Sequence, residues 1–233
     1  MSISVIIPSY NEEKNIHKTI ESCLLAAKKY NTNVELICID DCSDDNTGQI
    51  IEDLSKTIEQ ITYIRNRKNQ GFGGSFWTGV KVAKKKIVVL IPGDNENNLG
   101  EIIKYQHFMK DYDMVVPYPI NISDRAFFRL IISKLFLFII NFSFRVNFRY
   151  TNGTVMYKKA VLDKLNYRFN SFMFQTCNLI LLSRYGKKYI EVPYKLNINQ
   201  DTKKTSAFNL RSILQVFKSF FYLLWICYSK KNK

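Results

Sequence analysis

Two carboxylates stand two residues apart in "IPGDNENN" (91–98), Asp94 and Glu96, just after the apolar run "KIVVLI". In an extended turn residues two apart point the same way, so both acids can face one ion. Hard oxygen donors suit Mg²⁺ or Mn²⁺, which needs only one or two protein carboxylates when diphosphate oxygens and water complete an octahedron. Further polar clusters follow other apolar runs: "PSYNEE" (8–13), "DDCSDDNT" (40–47) and "RNRKNQGFGG" (65–74). A carboxylate such as Asp41 there can accept a ring N–H or a sugar hydroxyl, while Asp40 has the alternatives of a cap or an ion-pair partner. The glycine run 69–74 either lets backbone approach a phosphate at a helix N-terminus or forms a flexible left-handed loop. Arg65, Arg67 and Lys68 either assist a diphosphate or face solvent.

The elements that must position these residues are legible from periodicity. Short apolar runs at 3–7, 34–39, 61–64, 86–91 and 113–117 read as buried parallel strands. Helical spacing occupies 13–30, 46–59, 74–85 and 99–110, with cap-type residues in "SDDNT" (43–47) before the second. Alternation of this kind predicts an α/β fold, a mostly parallel Rossmann-like sheet with helices on both faces. Such sheets bind ligands at the carboxyl ends of their strands, where the polar clusters fall.

The chain has 233 residues, enough to bury a sizeable core, and 46% of them are hydrophobic, which excludes wholesale disorder. Its net charge of +14 points to an anionic partner, although the abundance of Lys, Asn, Ile, Phe and Tyr also fits AT-rich coding. The basic residues match no nucleic-acid motif, and the strand-end acids oppose that partner. Five cysteines without a CxxC pair argue against a disulfide framework or zinc site and for a reducing compartment. The N-terminus lacks a basic region and long apolar stretch, so it reads as a strand and not a signal peptide. His17 and His107 lie on predicted helices as surface or packing residues.

Two later segments change character. Residues 126–144 and 211–228 are densely apolar yet short for a bilayer, and each carries an internal lysine. Amphipathic helices in a membrane interface, with basic residues at the headgroups, fit better. Packing on the domain or on a second copy as a homodimer is the alternative.

The ordered strings "VIIPSYNEEKNI", "ICIDDCSDDNTGQII", "NQGFGGSFWTGVKVAKKKIVVLIPGD", "TNGTVMYKK" and "FMFQTCNLILLSRYGKKYIEVPY" together resemble a family 2 glycosyltransferase of the GT-A fold, nearest the dolichol- and polyprenyl-phosphate sugar transferases, over about residues 3–210. The resemblance implies a GT-A domain at 1–210, divided into a nucleotide-binding half (1–117) and an acceptor half (118–210) that holds the 126–144 helix. An amphipathic, basic membrane-interface helix follows at 211–233. It further implies that Pro8, Tyr10, Glu12, Ile39, Asp41, Gly71 and Gly93 line the nucleotide, and that Asp94 and Glu96 are catalytic and hold Mg²⁺ or Mn²⁺. Where the family turn reads Asp-x-Asp, this chain has Pro92 and Asp94, so its acid pair is shifted to Asp94-x-Glu96.

A sugar hydroxyl nucleophile needs a general base. The segment 171–180, where related enzymes often carry an acid, contains none and places Cys177 in that frame. A lipid phosphate is anionic near neutral pH and needs no such base. The implied phosphate-binding candidates are Arg125, Arg129, Asn152, Lys203 and Lys204, and the loop "QDTKKTS" (200–206) departs from the arginine-bearing loop of that branch. The expectation is an inverting hexosyl- or N-acetylhexosaminyl-transferase, moving sugar from a UDP- or GDP-linked donor to polyprenyl phosphate, peripheral on the cytoplasmic membrane face. The alternatives are transfer to a saccharide or glycolipid hydroxyl, and a non-catalytic nucleotide-sugar-binding relative.

Overall fold

The computed structural model describes residues 1–121, 127–197 and 210–229. Seven strands form one sheet in the order β3-β2-β1-β4-β6-β5-β7: β1 (Ser2–Ser9), β2 (Asn33–Asp40), β3 (Ile61–Arg65), β4 (Ile87–Leu90), β5 (Met114–Pro119), β6 (Met156–Lys158) and β7 (Tyr189–Tyr194). All adjacent pairs are parallel except those made by β6, which runs antiparallel to both β4 and β5.

The alternating side chains of β1 feed two separate cores. Ile3, Val5 and Ile7 pack with Ile16, Ile20 and Cys23 of α1 (Ile16–Lys29) and with Ile51 of α2 (Thr47–Thr57). Ile6 faces the other way, towards Phe76, Trp77 and Val80 of α3 (Gly71–Val82). Burial on both faces is why these strands read as continuous apolar runs. Full burial of each such Ile contributes about 1.5–3 kcal/mol.

Two element boundaries differ from the sequence reading. The third helix begins at Gly71 inside the glycine run, because side-chain acceptors satisfy its first N–H groups. The predicted helix 99–110 divides into α4 (Gly100–Ile103), started by the Asn98 side chain on the Gly100 N–H at 2.7 Å, and a 3-10 helix (Gln106–Lys110). The short β6 passes at Lys159 directly into α6 (Lys159–Asp163).

The two apolar segments are helices, α5 (Phe127–Phe144) and α8 (Leu210–Tyr228), packed against each other and against α7 (Phe174–Arg184). Phe144 meets Phe220 edge-on, and Leu223 and Ile226 enter the same core as Phe76. Their outer faces are another matter. Leu135, Phe138 and Phe142 of α5, and Leu214, Phe217, Phe221 and Trp225 of α8, are exposed. No helix among the described residues is long and apolar enough to cross a membrane. His17 and His107 are exposed on their helices, and Cys23, Cys38 and Cys177 are buried free thiols.

Candidate active site

β1, β2, β3 and β4 deliver their carboxyl-terminal loops to one edge of the sheet. The loops after β1 and β2 are laced together: Asn11 N–H donates to Ser43 Oγ (3.0 Å), Glu12 N–H to Thr47 Oγ1 (2.7 Å), and Glu13 N–H to Asp45 Oδ2 (3.1 Å). Asp45 also accepts the Thr47 N–H, which begins α2, and its hydrogen bonds hold its carboxyl below the usual range against the cost of burial. On this braced loop the Tyr10 ring is 45% exposed. Pro8 and Ile39 sit directly opposite in the β1–β2 register and their side chains are both buried.

Asp40 and Asp41 do different work. Asp40, fully buried, pairs with Arg65 Nη1 at 2.7 Å and accepts the Ser43 N–H at 2.8 Å, so it is the ion-pair partner its position allowed and closes the turn after β2 without capping α2. The second terminal nitrogen of Arg65 donates to the Ser43 carbonyl, which commits this cation to the fold. The Asp41 side chain turns towards α3: Oδ1 accepts Asn66 Nδ2 (2.7 Å) and Gln70 N–H (2.9 Å), and Oδ2 accepts Gly71 N–H (2.9 Å). Gly71 has φ +76°, a conformation that L side chains rarely adopt. The glycine run thus opens a helix whose first N–H groups are turned onto a carboxylate of the protein.

The acid turn is held from two sides. Gly93 donates its N–H to the Pro8 carbonyl at 3.0 Å, and a Cβ there would lie 2.4 Å from Ser9 Oγ, so only glycine brings this turn against β1. From the far side the Asn197 N–H donates to the Glu96 carbonyl at 2.9 Å, and Asn97 bridges Leu196. Within the turn Asp94 Oδ1 accepts the Glu96 N–H at 3.0 Å, with Asn95 between them at φ +60°. Burial pushes the Asp94 carboxyl up to about 7, and the charges of Glu96 and Glu12 add to this. Glu12, across the gap on the β1 loop, is raised as well, by burial foremost and by Asp45 and Glu96.

Glu12 on the β1 loop and Glu96 in the turn thus both disfavour charge on Asp94, a setting that a hard divalent cation relieves. Among the described residues no group of three or more His, Cys, Asp or Glu could hold a metal ion. Asp94 and Glu96 supply two hard oxygen donors, enough for Mg²⁺ or Mn²⁺ only where other oxygens complete its sphere.

Across the sheet, the loop 151–154 borders the acid turn because β6 pairs with β4 (Val89 opposite Met156). It is tied to the start of α7: Gln175 Nε2 donates to the Gly153 carbonyl (2.6 Å), and Thr176 Oγ1 donates to Thr151 Oγ1 (2.9 Å) or Asn152 Oδ1 (3.1 Å). Asn152 is exposed on this loop. Cys177, fully buried with its thiol raised well above the ordinary value by burial, is no base. Arg129 falls in the first turn of α5, and Arg125, Lys203 and Lys204 lie outside the described residues.

The structure thus brings Glu12, Asp94 and Glu96 within electrostatic reach of one another and leaves Tyr10 exposed on the loop of Glu12. It sets Asn152 on the loop beside the acid turn, and places Asp41, Gly71, Pro8, Ile39 and Gly93 in the frame that holds these loops. Asn66, Gln175 and Thr176 escaped the sequence reading. Each is a short-range polar residue in a string of similar ones, and only tertiary contact separates it from a solvent-facing amide or hydroxyl.

The chain is similar to several proteins of known description. Undecaprenyl-phosphate 4-deoxy-4-formamido-L-arabinose transferase of Pectobacterium atrosepticum is 30% identical over 132 residues, covering 55% of this chain and 40% of that one. Poly(ribitol-phosphate) beta-N-acetylglucosaminyltransferase TarP of Staphylococcus aureus is 28% identical over 174 residues, covering 73% and 53%. The chain spans about half the length of the curated relatives it matches. Glucosyl-3-phosphoglycerate synthase of Mycobacterium tuberculosis, solved with Mn²⁺, UDP and phosphoglyceric acid, superposes with a TM-score of 0.68 at 18% identity, over 96% of this chain and 78% of that one, a likeness of GT-A fold. The sequence pattern of glycosyl transferase family 2 matches residues 4–165. The chain belongs to glycosyl transferase family 2.

Proposed function

We infer that this chain transfers a hexosyl or N-acetylhexosaminyl group from a nucleoside-diphosphate donor to a polyprenyl phosphate, with inversion at the anomeric carbon. The observation that supports the donor half is the seating of the acid turn against β1, where Gly93 N–H meets the Pro8 carbonyl and the Asp94 carboxyl feels Glu96 and Glu12, with Tyr10 exposed two residues before Glu12. Tyr10 takes the base or ribose on its face, and the buried Pro8 and Ile39 form the floor. Asp94 and Glu96 would hold Mg²⁺ or Mn²⁺, which when bound stabilises the charge gathering on the departing diphosphate. The Mn²⁺ and UDP of the mycobacterial structure support this donor chemistry.

A phosphate oxygen of the acceptor attacks the anomeric carbon as the bond to the diphosphate breaks. The electron pair leaves with the nucleoside diphosphate, and no proton needs removal from the nucleophile. That suits a chain whose 171–180 segment has no acid and whose buried Cys177 thiol is raised by burial. The apolar outer faces of α5 and α8 support a lipid acceptor at a peripheral membrane site. α8 packs on the rim of the gap: Ser219 bonds Ser171 at 2.8 Å, and the neighbouring Asn170 carbonyl accepts the Gly73 N–H at 3.1 Å.

The likeness to TarP over 73% of the chain favours one second reading, transfer to a saccharide hydroxyl. Turnover of UDP- and GDP-sugars with a short-chain polyprenyl phosphate, set beside polyribitol phosphate and simple glycosides, separates the two. Product on the lipid phosphate supports the first reading, and product on hydroxyl acceptors alone supports the second.

A further inference from the structure

We propose that Arg149 is the receptor for the phosphate monoester of the acceptor; this rests on the lipid-phosphate reading above. The candidate cations named from the sequence were Arg125, Arg129, Lys203 and Lys204, and Arg149 was not among them. Its guanidinium carbon lies 4.8 Å from the ring centroid of Tyr118, the penultimate residue of β5, at the same strand-end edge as the acid turn. Its backbone N–H donates to Glu191 Oε1 at 2.7 Å, which anchors the residue. The Glu191 carboxylate stands 4.0 Å from Nε, too far for a hydrogen bond, and the Arg149 side chain is 65% exposed. Among the described residues its terminal nitrogens meet no acceptor.

The order of strands sets this charge at the same sheet edge as the acid turn, two strands along from β4. The braced nucleotide loops follow β1 and β2, the acid turn follows β4 at the centre, and Tyr118 lies beyond it on β5. The chain runs from Arg149 directly into the 151–154 loop, and that loop packs on β5, since a Cβ at Gly153 would lie 2.6 Å from the Pro117 carbonyl. Arg65, by contrast, is on the nucleotide side and engaged with Asp40. The face of the Tyr118 ring holds the cation at this edge, and a planar guanidinium fork matches two phosphate oxygens as a lysine does not.

The test measures steady-state transfer for the wild type, Arg149→Ala, Arg149→Lys and Tyr118→Leu. The acceptors are a short-chain polyprenyl phosphate, a soluble alkyl phosphate and polyprenol. Arg149→Ala is expected to raise KM for both phosphates about tenfold or more, with kcat and donor KM changed less than about twofold. Arg149→Lys recovers only part of the loss, and Tyr118→Leu gives an intermediate rise. An effect on the lipid phosphate without one on the alkyl phosphate assigns Arg149 to the lipid and overturns the phosphate assignment. An unchanged acceptor KM overturns the proposal and leaves lipid-phosphate transfer standing, whereas transfer by the wild type to hydroxyls alone overturns both. Nucleotide-induced thermal stabilisation of each variant reports folding, and its loss in Arg149→Lys and Tyr118→Leu alike would assign the pair a structural role instead.

Discussion

The Asp41 carboxylate accepts the backbone N–H of Gly71 at 2.9 Å, joining the end of β2 to the first turn of α3 across thirty residues of sequence. Through its other oxygen it also holds Gln70 N–H and the Asn66 amide. A residue expected to touch nucleotide thus also holds the start of α3.

Removing that carboxylate leaves Gln70 N–H without its acceptor, while the Asn66 amide keeps Ser75 Oγ (3.0 Å) and Gly71 N–H keeps Asn69 Oδ1 (3.1 Å). Asp41→Ala is expected to destabilise the fold by about 1–3 kcal/mol. Asp41→Asn retains one acceptor oxygen and should cost roughly half as much. Urea denaturation of the two variants measures the difference, and equal stability to wild type would show that the clamp carries no energy.

Asp94 gives a pH dependence with a definite sign. Its carboxyl titrates near 7 when folded, against 3.8 for an ordinary aspartate. Between those values the folded protein keeps a proton that the unfolded chain has lost, so stability falls as pH rises from about 4 to 7. The full penalty persists above 7. In EDTA at pH 8, Asp94→Asn should therefore be more stable than wild type by about 1 kcal/mol after solvent screening, a Tm rise of about 2–4 °C. Mn²⁺ with UDP should raise the wild-type Tm and not that of the variant. Thermal scans at pH 5 and pH 8 show whether the gap opens in that direction.

Cys42 adopts φ +66° at the turn after β2, a region costly for a side chain with a Cβ. Cys42→Gly relieves this and is expected to stabilise by about 0.5–1 kcal/mol, the added entropy of the unfolded glycine offsetting part of the gain. Chemical denaturation reads it directly, and a loss of stability would mean that the thiol's packing outweighs the backbone term.

Phe142 is 78% exposed on α5, and Phe217 is exposed on α8. If these faces enter an interface, the double substitution Phe142→Ser, Phe217→Ser should weaken binding to anionic phospholipid vesicles about tenfold or more. Its effect on unfolding should be small, because both rings already face solvent. Sedimentation with vesicles, beside sedimentation equilibrium without them, distinguishes membrane association from pairing of two copies.

The strands and most helices were legible because their burial is periodic: Ile3, Val5 and Ile7 alternate with residues of the opposite face, and α1 repeats its apolar residues on one stripe. The acid turn was legible because carboxylates after an apolar run have few structural uses. What could not be read was partnership. Nothing in "DDCSDD" says that Asp40 turns to Arg65 while Asp41 turns to Gly71. Nor does the antiparallel insertion of β6 follow from three residues of strand. The start of α3 was missed because glycines are poor helix formers, and here a distant carboxylate compensates them.

The measurement that tests the account most directly is sugar transfer to a short-chain polyprenyl phosphate by wild type, Asp94→Ala and Glu96→Ala, with and without Mn²⁺ or Mg²⁺. The account predicts metal-dependent transfer, reduced about 10³-fold or more by Asp94→Ala and less by Glu96→Ala, with both variants folded. Transfer that is indifferent to metal and undiminished in Asp94→Ala would contradict it.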